Sequence, residues 1–296
     1  MQRREWMLFL AALIWGCAFV AQSVSMDYIG PWTFTCIRSF IAGITLFCLM
    51  PVLKDHQNNK QHNDKQIRQK TILGGILCGC ALCAASMFQQ YGIMETTVGK
   101  AGFITALYVI IVPFMGIFLK KKIHPIVFVS ALLSLCGMYL LCMKDSLSLS
   151  KGDSLVLICA FLFAVHIMVI DHFSDCDGIV ISCIQFFTAG VICLIPMIVL
   201  EHPELSSIKS ALIPILYAGI MSSGAGYTLQ IIGQKTVEPS TASLILSLES
   251  VFAALAAWVL IHESLSFREI LGCLLVFIAI ILAEIGPDLI KKGSPE

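Results

Sequence analysis

Long apolar runs, each bounded by charge, proline or glycine, follow one another along this chain. In order they predict helices near residues 6–24, 31–53, 71–93, 98–119, 124–143, 153–171, 178–200, 211–234, 240–261 and 267–286. Ten spans of about 20 residues use about 200 of the 296 positions and leave about 96 for loops and tails. The pattern therefore predicts an all-α integral membrane protein with ten transmembrane helices and no room for a separate catalytic domain. Arg3 and Arg4 ahead of the run from Trp6 to Val24 imitate a signal peptide. That run has a counterpart later in the chain, so it is expected to be a retained first span.

Composition sharpens this picture. The chain is 58% hydrophobic and 13% charged, with mean hydropathy +0.89, against roughly 25% charged in ordinary globular domains. A net charge of 0 and a pI near 7.0 leave no footprint for nucleic acid. The expected macromolecular partner is the lipid bilayer. Of the 13 cysteines, Cys36, Cys48, Cys78, Cys136, Cys159, Cys193 and Cys273 fall inside apolar runs and read as small packing residues. Cys80 and Cys83 have a C-x-x-C spacing, but no second pair or histidine cluster accompanies them, so no metal or cofactor is expected.

Lysine and arginine predict the topology, because short basic loops stay cytoplasmic during insertion. With the N-terminus inside, the inner segments hold 13 basic residues: Arg3, Arg4, Lys54, Lys60, Lys65, Arg68, Lys70, Lys120, Lys121, Lys122, Lys235, Lys291 and Lys292. The outer loops hold 5: Lys100, Lys144, Lys151, Lys209 and Arg268. Both termini are thus expected in the cytoplasm and the protein in the cytoplasmic membrane. The polar stretch from Lys54 to Lys70 reads as a solvated linker.

An internal repeat is visible. Thr35-Cys36-Ile37-Arg38-Ser39-Phe40-Ile41-Ala42-Gly43 resembles Ser182-Cys183-Ile184-Gln185-Phe186-Phe187-Thr188-Ala189-Gly190, with Cys, Ile, Phe, Ala and Gly matching at an offset of 147. At an offset of 141, Gln89 matches Gln230, Gly92 matches Gly233, Ala101 matches Ala242 and Leu107 matches Leu248. Residues 1–147 and 148–296 therefore read as two copies of a five-helix unit. Because five is odd, the second copy enters the membrane from the opposite side. The loop charges agree: loops two-three and four-five are basic, whereas their counterparts seven-eight and nine-ten carry only Lys209 and Arg268.

These residues resemble the drug/metabolite transporter superfamily, in particular its EamA-type ten-helix members. The first span carries Ile14-Trp15-Gly16-Cys17-Ala18-Phe19-Val20, and the second carries Arg38 followed by Ala42. Span nine and its exit carry Ser247-Leu248-Glu249-Ser250-Val251-Phe252-Ala253-Ala254, Glu263-Ser264-Leu265 and Gly272. Ser250 stands where the family usually has proline, and His262 where it has glycine. The resemblance covers essentially the whole chain. It implies a transporter whose fourth and ninth spans and their neighbours line a central cavity, while the fifth and tenth pack peripherally. Relatives include exporters of amino acids and other metabolites and importers of sugars, so the cargo stays open.

Glu249 falls roughly 13 Å along span nine, near the middle of a ~30 Å hydrocarbon layer. An acid there costs of order 2.5–3.5 kcal/mol on an insertion scale calibrated with Asp, so it should be protonated, paired or facing water. It either binds a proton or cationic group during transport or stays protonated as a lock between helices. Arg38 lies roughly 10 Å below the outer boundary. It either offers its guanidinium to an anionic cargo group or holds carbonyls near the surface.

Tyr227, Gln230 and Gln234 share one helical stripe, as do Trp15, Phe19 and Gln22, while Thr105 and Tyr108 share a face of span four. Together with Gln89 and Gln90 they should point into the bundle, because their polar groups find no partners in lipid. Tyr108 occupies the repeat position of Glu249. His166, the one histidine deep in an apolar run, is either a proton relay to Glu249 or a neutral ring bonded to a carbonyl. Glu263 and Glu284 sit near helix ends, where they read as topological or packing residues.

The expected function is secondary transport of a small organic metabolite, an amino acid or related compound, outward across the cytoplasmic membrane by alternating access. Protons are the coupling ion to test, and a monomer is expected. No G-x-x-x-x-G-K-[ST] pattern is present, so ATP is not the expected drive. The main alternative is proton-coupled efflux of lipophilic cations. An intramembrane hydrolase fits poorly, since one buried histidine and no H-E-x-x-H motif offer little for catalysis. A lipid-handling helper would need a solid apolar interior in place of a polar cavity.

Overall fold

The computed structural model describes residues 5–53, 65–96, 98–121, 123–142, 150–260 and 266–293. Arg3, Arg4, the linker residues 54–64, Lys122, Lys144, His262 and Glu263 lie outside them. The side chains of residues 53, 98–100, 141, 142, 257, 258, 260 and 284–293, Glu284 among them, are not described either.

Among the described residues every regular element is a helix. In the first half these are α1 Glu5–Met26, α2 Pro31–Leu53, α3 Lys65–Glu95, α4 Val98–Thr105, α5 Tyr108–Phe118 and α6 Pro125–Cys142. In the second, α7 Lys151–His172 and α8 Gly178–Pro196 lead into a π-helical turn at Met197–Glu201. Then come α9 Leu205–Ser210, α10 Leu212–Leu216, a π-helical stretch at Tyr217–Tyr227, α11 Thr228–Gly233, α12 Pro239–Leu246, α13 Leu248–Leu260 and α14 Phe267–Gly293.

Among the described residues, 8 helical spans are long and apolar enough to cross a membrane, and α6 adds a shorter apolar helix. Their outward faces carry bare hydrocarbon: Val52, Phe118, Ile213 and Phe267 are each more than 80% exposed. A surface of this kind is stable only against lipid. The chain is an all-α, multi-pass membrane protein.

Four predicted spans are not continuous α-helices: span seven ends in the π-helical turn at Met197–Glu201, and three others are interrupted. Span four breaks at Ala106 and Leu107, and span nine at Ser247. The local cause is a switch to tighter bonding: the Leu107 amide donates to the Ile104 carbonyl at 3.1 Å, and the Ser250 amide to the Ser247 carbonyl at 3.2 Å. Ser247 Oγ also donates to the Leu244 carbonyl at 2.7 Å, competing with the helix ladder. Pro113, which has no amide hydrogen, removes a further bond from the helix after the first break. Leu107 and Leu248, at the two breaks, are the pair matched at offset 141. Span eight is interrupted differently, by the Gly- and Ser-rich π-helical stretch.

Helix α2 packs on α8, α3 on α7 and α8, α6 on α14, and α1 on α13. At the α2–α8 crossing a Cβ on Gly43 would meet the Phe187 ring at 3.2 Å, and one on Gly190 would meet the Phe40 ring at 3.2 Å. Cys36 Sγ donates to the Gly190 carbonyl at 3.5 Å, and Cys183 Sγ to the Gly43 carbonyl at 3.6 Å. Each contact is the exchange of the other under the 147-residue offset. At the α6–α14 crossing a Cβ on Gly137 would lie 2.7 Å from the Gly272 carbonyl oxygen, so backbone meets backbone there.

Charged side chains near the helix ends are held by partners across the bundle. At one end Lys121 pairs with Asp171, Lys70 Nζ donates to Asp175 Oδ2 at 2.7 Å, and Lys235 Nζ donates to the Cys176 carbonyl at 2.6 Å. Asp175 stands in the turn after α7, and the Lys70 ammonium hydrogen-bonded to it holds its carboxyl below the ordinary 3.8. Elsewhere Glu201 Oε1 accepts from the Trp32 amide at 2.9 Å, while Oε2 accepts from the Thr33 amide at 2.7 Å and the Thr33 hydroxyl at 2.6 Å. A residue of the second half thereby satisfies the open amides at the start of α2.

Candidate functional site

A cavity lies between the halves, lined by residues from α1, α2, α3, α4, α5, α7, α11, α12, α13 and the π-helical stretch. Trp15, Phe19, Gln22, Arg38, Gln89, Thr105, Tyr108, Tyr227, Gln230 and Glu249 all line it. Ala18, Phe163, Ile167, Ser222 and Leu246 complete the wall. Space for the centres of water molecules amounts to about 40 Å³, enough for a few waters.

The helix breaks set the chemistry of one wall. Tyr108 opens α5 directly after the first break, and Glu249, the second residue of α13, stands two positions past the second. Tyr108 Oη donates to Glu249 Oε1 at 3.0 Å. Both side chains are at least 95% buried. Next to this pair, Gln89 Nε2 donates to Thr105 Oγ1 at 3.2 Å.

Arg38 enters from α2. Its Nη2 donates to Ser86 Oγ at 2.9 Å and its guanidinium lies over the Phe34 ring, 5.2 Å from the centroid. Its Nε has no partner among the described residues. No described carboxylate pairs with it either, although it is only 5% exposed. A buried guanidinium so placed gains strongly from an anion. Gln22 Oε1 and Gln230 Oε1 are also buried without a described partner, which leaves acceptors facing the same space.

The aromatic wall is built on the π-helical stretch. Trp15 Nε1 donates to the Ser222 carbonyl at 3.1 Å, and the indole packs against Tyr227 with centroids 4.6 Å apart. Gly226 makes this possible, since a Cβ there would meet Trp15 Nε1 at 2.6 Å. Tyr217 Oη donates to the Ile14 carbonyl at 2.9 Å and ties the other end of the stretch to α1.

Other polar residues named from the sequence have different surroundings. His166 is fully buried with its Nε2 3.1 Å from Gln185 Oε1, and it is not among the residues lining the cavity. Gln185, rather than Glu249 or a backbone carbonyl, is therefore its described ring partner. Gln234 turns away, donating from Nε2 to the Ile167 carbonyl at 3.3 Å. Gln90 is fully buried outside the wall. Sequence reading missed Ser222 and the apolar wall residues Phe163, Ile167 and Leu246. The Gly/Ser-rich run around Ser222 was the available signal, while Phe163 looks like any other apolar residue of α7. Among the described residues no group of three or more His, Cys, Asp or Glu is placed to hold a metal ion.

A polar cavity enclosed by membrane-spanning helices, some of them broken beside it, defines a membrane transport protein. Comparison with known proteins gives the family. The EamA-like transporter family model matches residues 3–143 and again 150–284, and the chain belongs to that family. An uncharacterized transporter of Archaeoglobus fulgidus is 29% identical over 279 residues, 94% of this chain and 84% of that protein. The uncharacterized transporter YoaV of Bacillus subtilis is 24% identical over 271 residues, covering 89% of this chain and 90% of YoaV. A solved crystal structure superposes with a TM-score of 0.77 at 17% identity, covering 95% of this chain and 96% of that one, and so shares the fold.

Proposed function

We propose that the chain is a secondary transporter of a small zwitterionic metabolite, an amino acid or related compound, working by alternating access between two inverted five-helix halves. The observation that carries this reading is the placement of Arg38 and Glu249 on one cavity. The guanidinium comes from the first half and the carboxyl from the second, and neither is paired with an opposite charge among the described residues. Arg38 would take the carboxylate of the cargo and Glu249 its ammonium, with Gln22 and Gln230 accepting further hydrogen bonds. The inverted reading draws support from the reciprocal contacts at the α2–α8 crossing and from the match of one family model to each half.

Alternating access would open this cavity to each side of the membrane in turn. Export, a monomeric transporter without catalytic activity, the cytoplasmic membrane and cytoplasmic termini belong to the same proposal. The test is counterflow in proteoliposomes loaded with individual amino acids. Flux of a zwitterionic cargo that disappears in Arg38→Met supports the reading, and flux indifferent to Arg38→Met overturns it.

A second reading, proton-coupled efflux of lipophilic cations, is favoured by the aromatic wall of Trp15, Phe19, Phe163 and Tyr227 beside Glu249. It predicts transport that survives Arg38→Met and loses its proton coupling in Glu249→Gln.

A further inference from the structure

A second arrangement of reactive side chains lies where α3 meets α8, near Arg38 but outside the set of residues that line the polar cavity. Gly75, Gly79 and Cys83 recur every fourth residue on α3 and so face one way. A Cβ on Gly79 would stand 2.6 Å from Thr188 Cβ and 2.7 Å from the Gln185 carbonyl oxygen, so the two backbones are nearly in contact. One turn further along, this close approach brings Cys83 Sγ to 3.4 Å from Cys193 Sγ. Both side chains are buried, and the two sulfurs are in contact without a bond between them.

Cys83 also forms part of the wall of a groove of about 600 Å³ with Trp32, Cys80, Met87, Phe88 and Ile192. The lining is almost wholly apolar, so the groove admits hydrophobic molecules from the bilayer. It therefore gives a lipid-soluble reagent a route to one member of a thiol pair.

We propose that Cys83 and Cys193 form an oxidisable dithiol site, reached from the lipid phase by a quinone-class oxidant, whose disulfide joins the first half of the chain to the second. In this step two S–H bonds break and one S–S bond forms. The two electrons and two protons pass to the quinone, which leaves as the quinol. The C-x-x-C pair singled out by spacing is not the reacting pair, because Cys83 is in contact with Cys193. The disulfide would fasten α3 to α8 one turn from Ser86, the residue that holds Arg38. Movement of one half against the other would then be restrained.

The experiment uses the full chain in vesicles of phosphatidylethanolamine and phosphatidylglycerol. They are treated with tetramethylbenzoquinone, whose fully substituted ring disfavours conjugate addition to thiols. Peptide mass mapping should find a Cys83–Cys193 linked species lighter by two hydrogens and reversed by dithiothreitol. The link should persist in Cys80→Ser and Cys36→Ser and be lost in Cys83→Ser and Cys193→Ser. Membrane-impermeant tetrathionate, added outside, should give far less of it. Failure of the wild-type chain to form this link, pairing of Cys83 with Cys80 or Cys36 instead, or equal linking by tetrathionate would each overturn the proposal.

Discussion

Tyr108 and Glu249 stand 141 residues apart, the offset that also pairs Gln89 with Gln230, and they meet through a 3.0 Å hydrogen bond. Tyr108 directly follows the break in its span, and Glu249 stands two residues past the break in its own. A broken helix exposes backbone groups and redirects the next side chain, which is tolerated at membrane depth only around a polar interior. The two breaks and the bond between them therefore form one structural unit.

Tyr108→Phe should disturb that unit while keeping its shape. The hydroxyl is Glu249's described partner, and a typical intramolecular hydrogen bond contributes about 0.5–1.5 kcal/mol net. The expected result is a lower melting temperature, together with a pH profile of flux displaced from wild type. Unchanged melting and an unchanged profile would show that the Tyr108 hydroxyl neither stabilises the breaks nor tunes Glu249.

Glycine contacts make a paired prediction. Gly137→Ala places a methyl 2.7 Å from the Gly272 carbonyl oxygen, so α6 and α14 must separate. The expected cost is about 1–3 kcal/mol, as for overpacked cores. A Cβ on Gly102 meets nothing within 4 Å. Gly102→Ala should therefore be neutral or stabilising by up to about 1 kcal/mol, since alanine favours helix. Thermal unfolding of both variants in the same detergent checks the contrast.

The Lys70–Asp175 pair predicts a weak, pH-limited effect. A carboxyl held below 3.8 in the folded protein contributes stability that is fully present above that value and fades as pH falls through the lower folded value. Both side chains are substantially exposed, so Asp175→Asn should cost no more than about 1 kcal/mol at neutral pH. The difference from wild type should shrink on acidification below 3.8. A penalty that grows on acidification would contradict this assignment.

Sidedness can be read directly. Arg268 lies over the Tyr139 ring, 5.5 Å from its centroid, near the end of α6, while Lys121 pairs with Asp171 near its beginning. Single cysteines at positions 121 and 268, placed in a cysteine-free chain, should react with an impermeant maleimide from opposite faces of a sealed vesicle. Labelling from one face would remove the basis for inverted halves.

Apolar runs and composition were sufficient to read a helical membrane protein, because partition into lipid depends on local side chains that each span carries with it. The same physics marked the cavity wall. Polar groups on Gln22, Gln89, Gln230 and Glu249 are too costly to face lipid, so their presence in a span already said that they point inward. Sequence could not say which of them meet. The bond from Tyr108 to Glu249, the turn of Gln234 toward Ile167, the pairing of His166 with Gln185 and the contact of Cys83 with Cys193 all depend on helix crossings. Those crossings are set by close approaches such as Gly43 on Phe187 and Gly137 on Gly272, between residues more than 100 positions apart. Local sequence determined what enters the membrane; packing between distant glycines and their partners decided which side chains share a site.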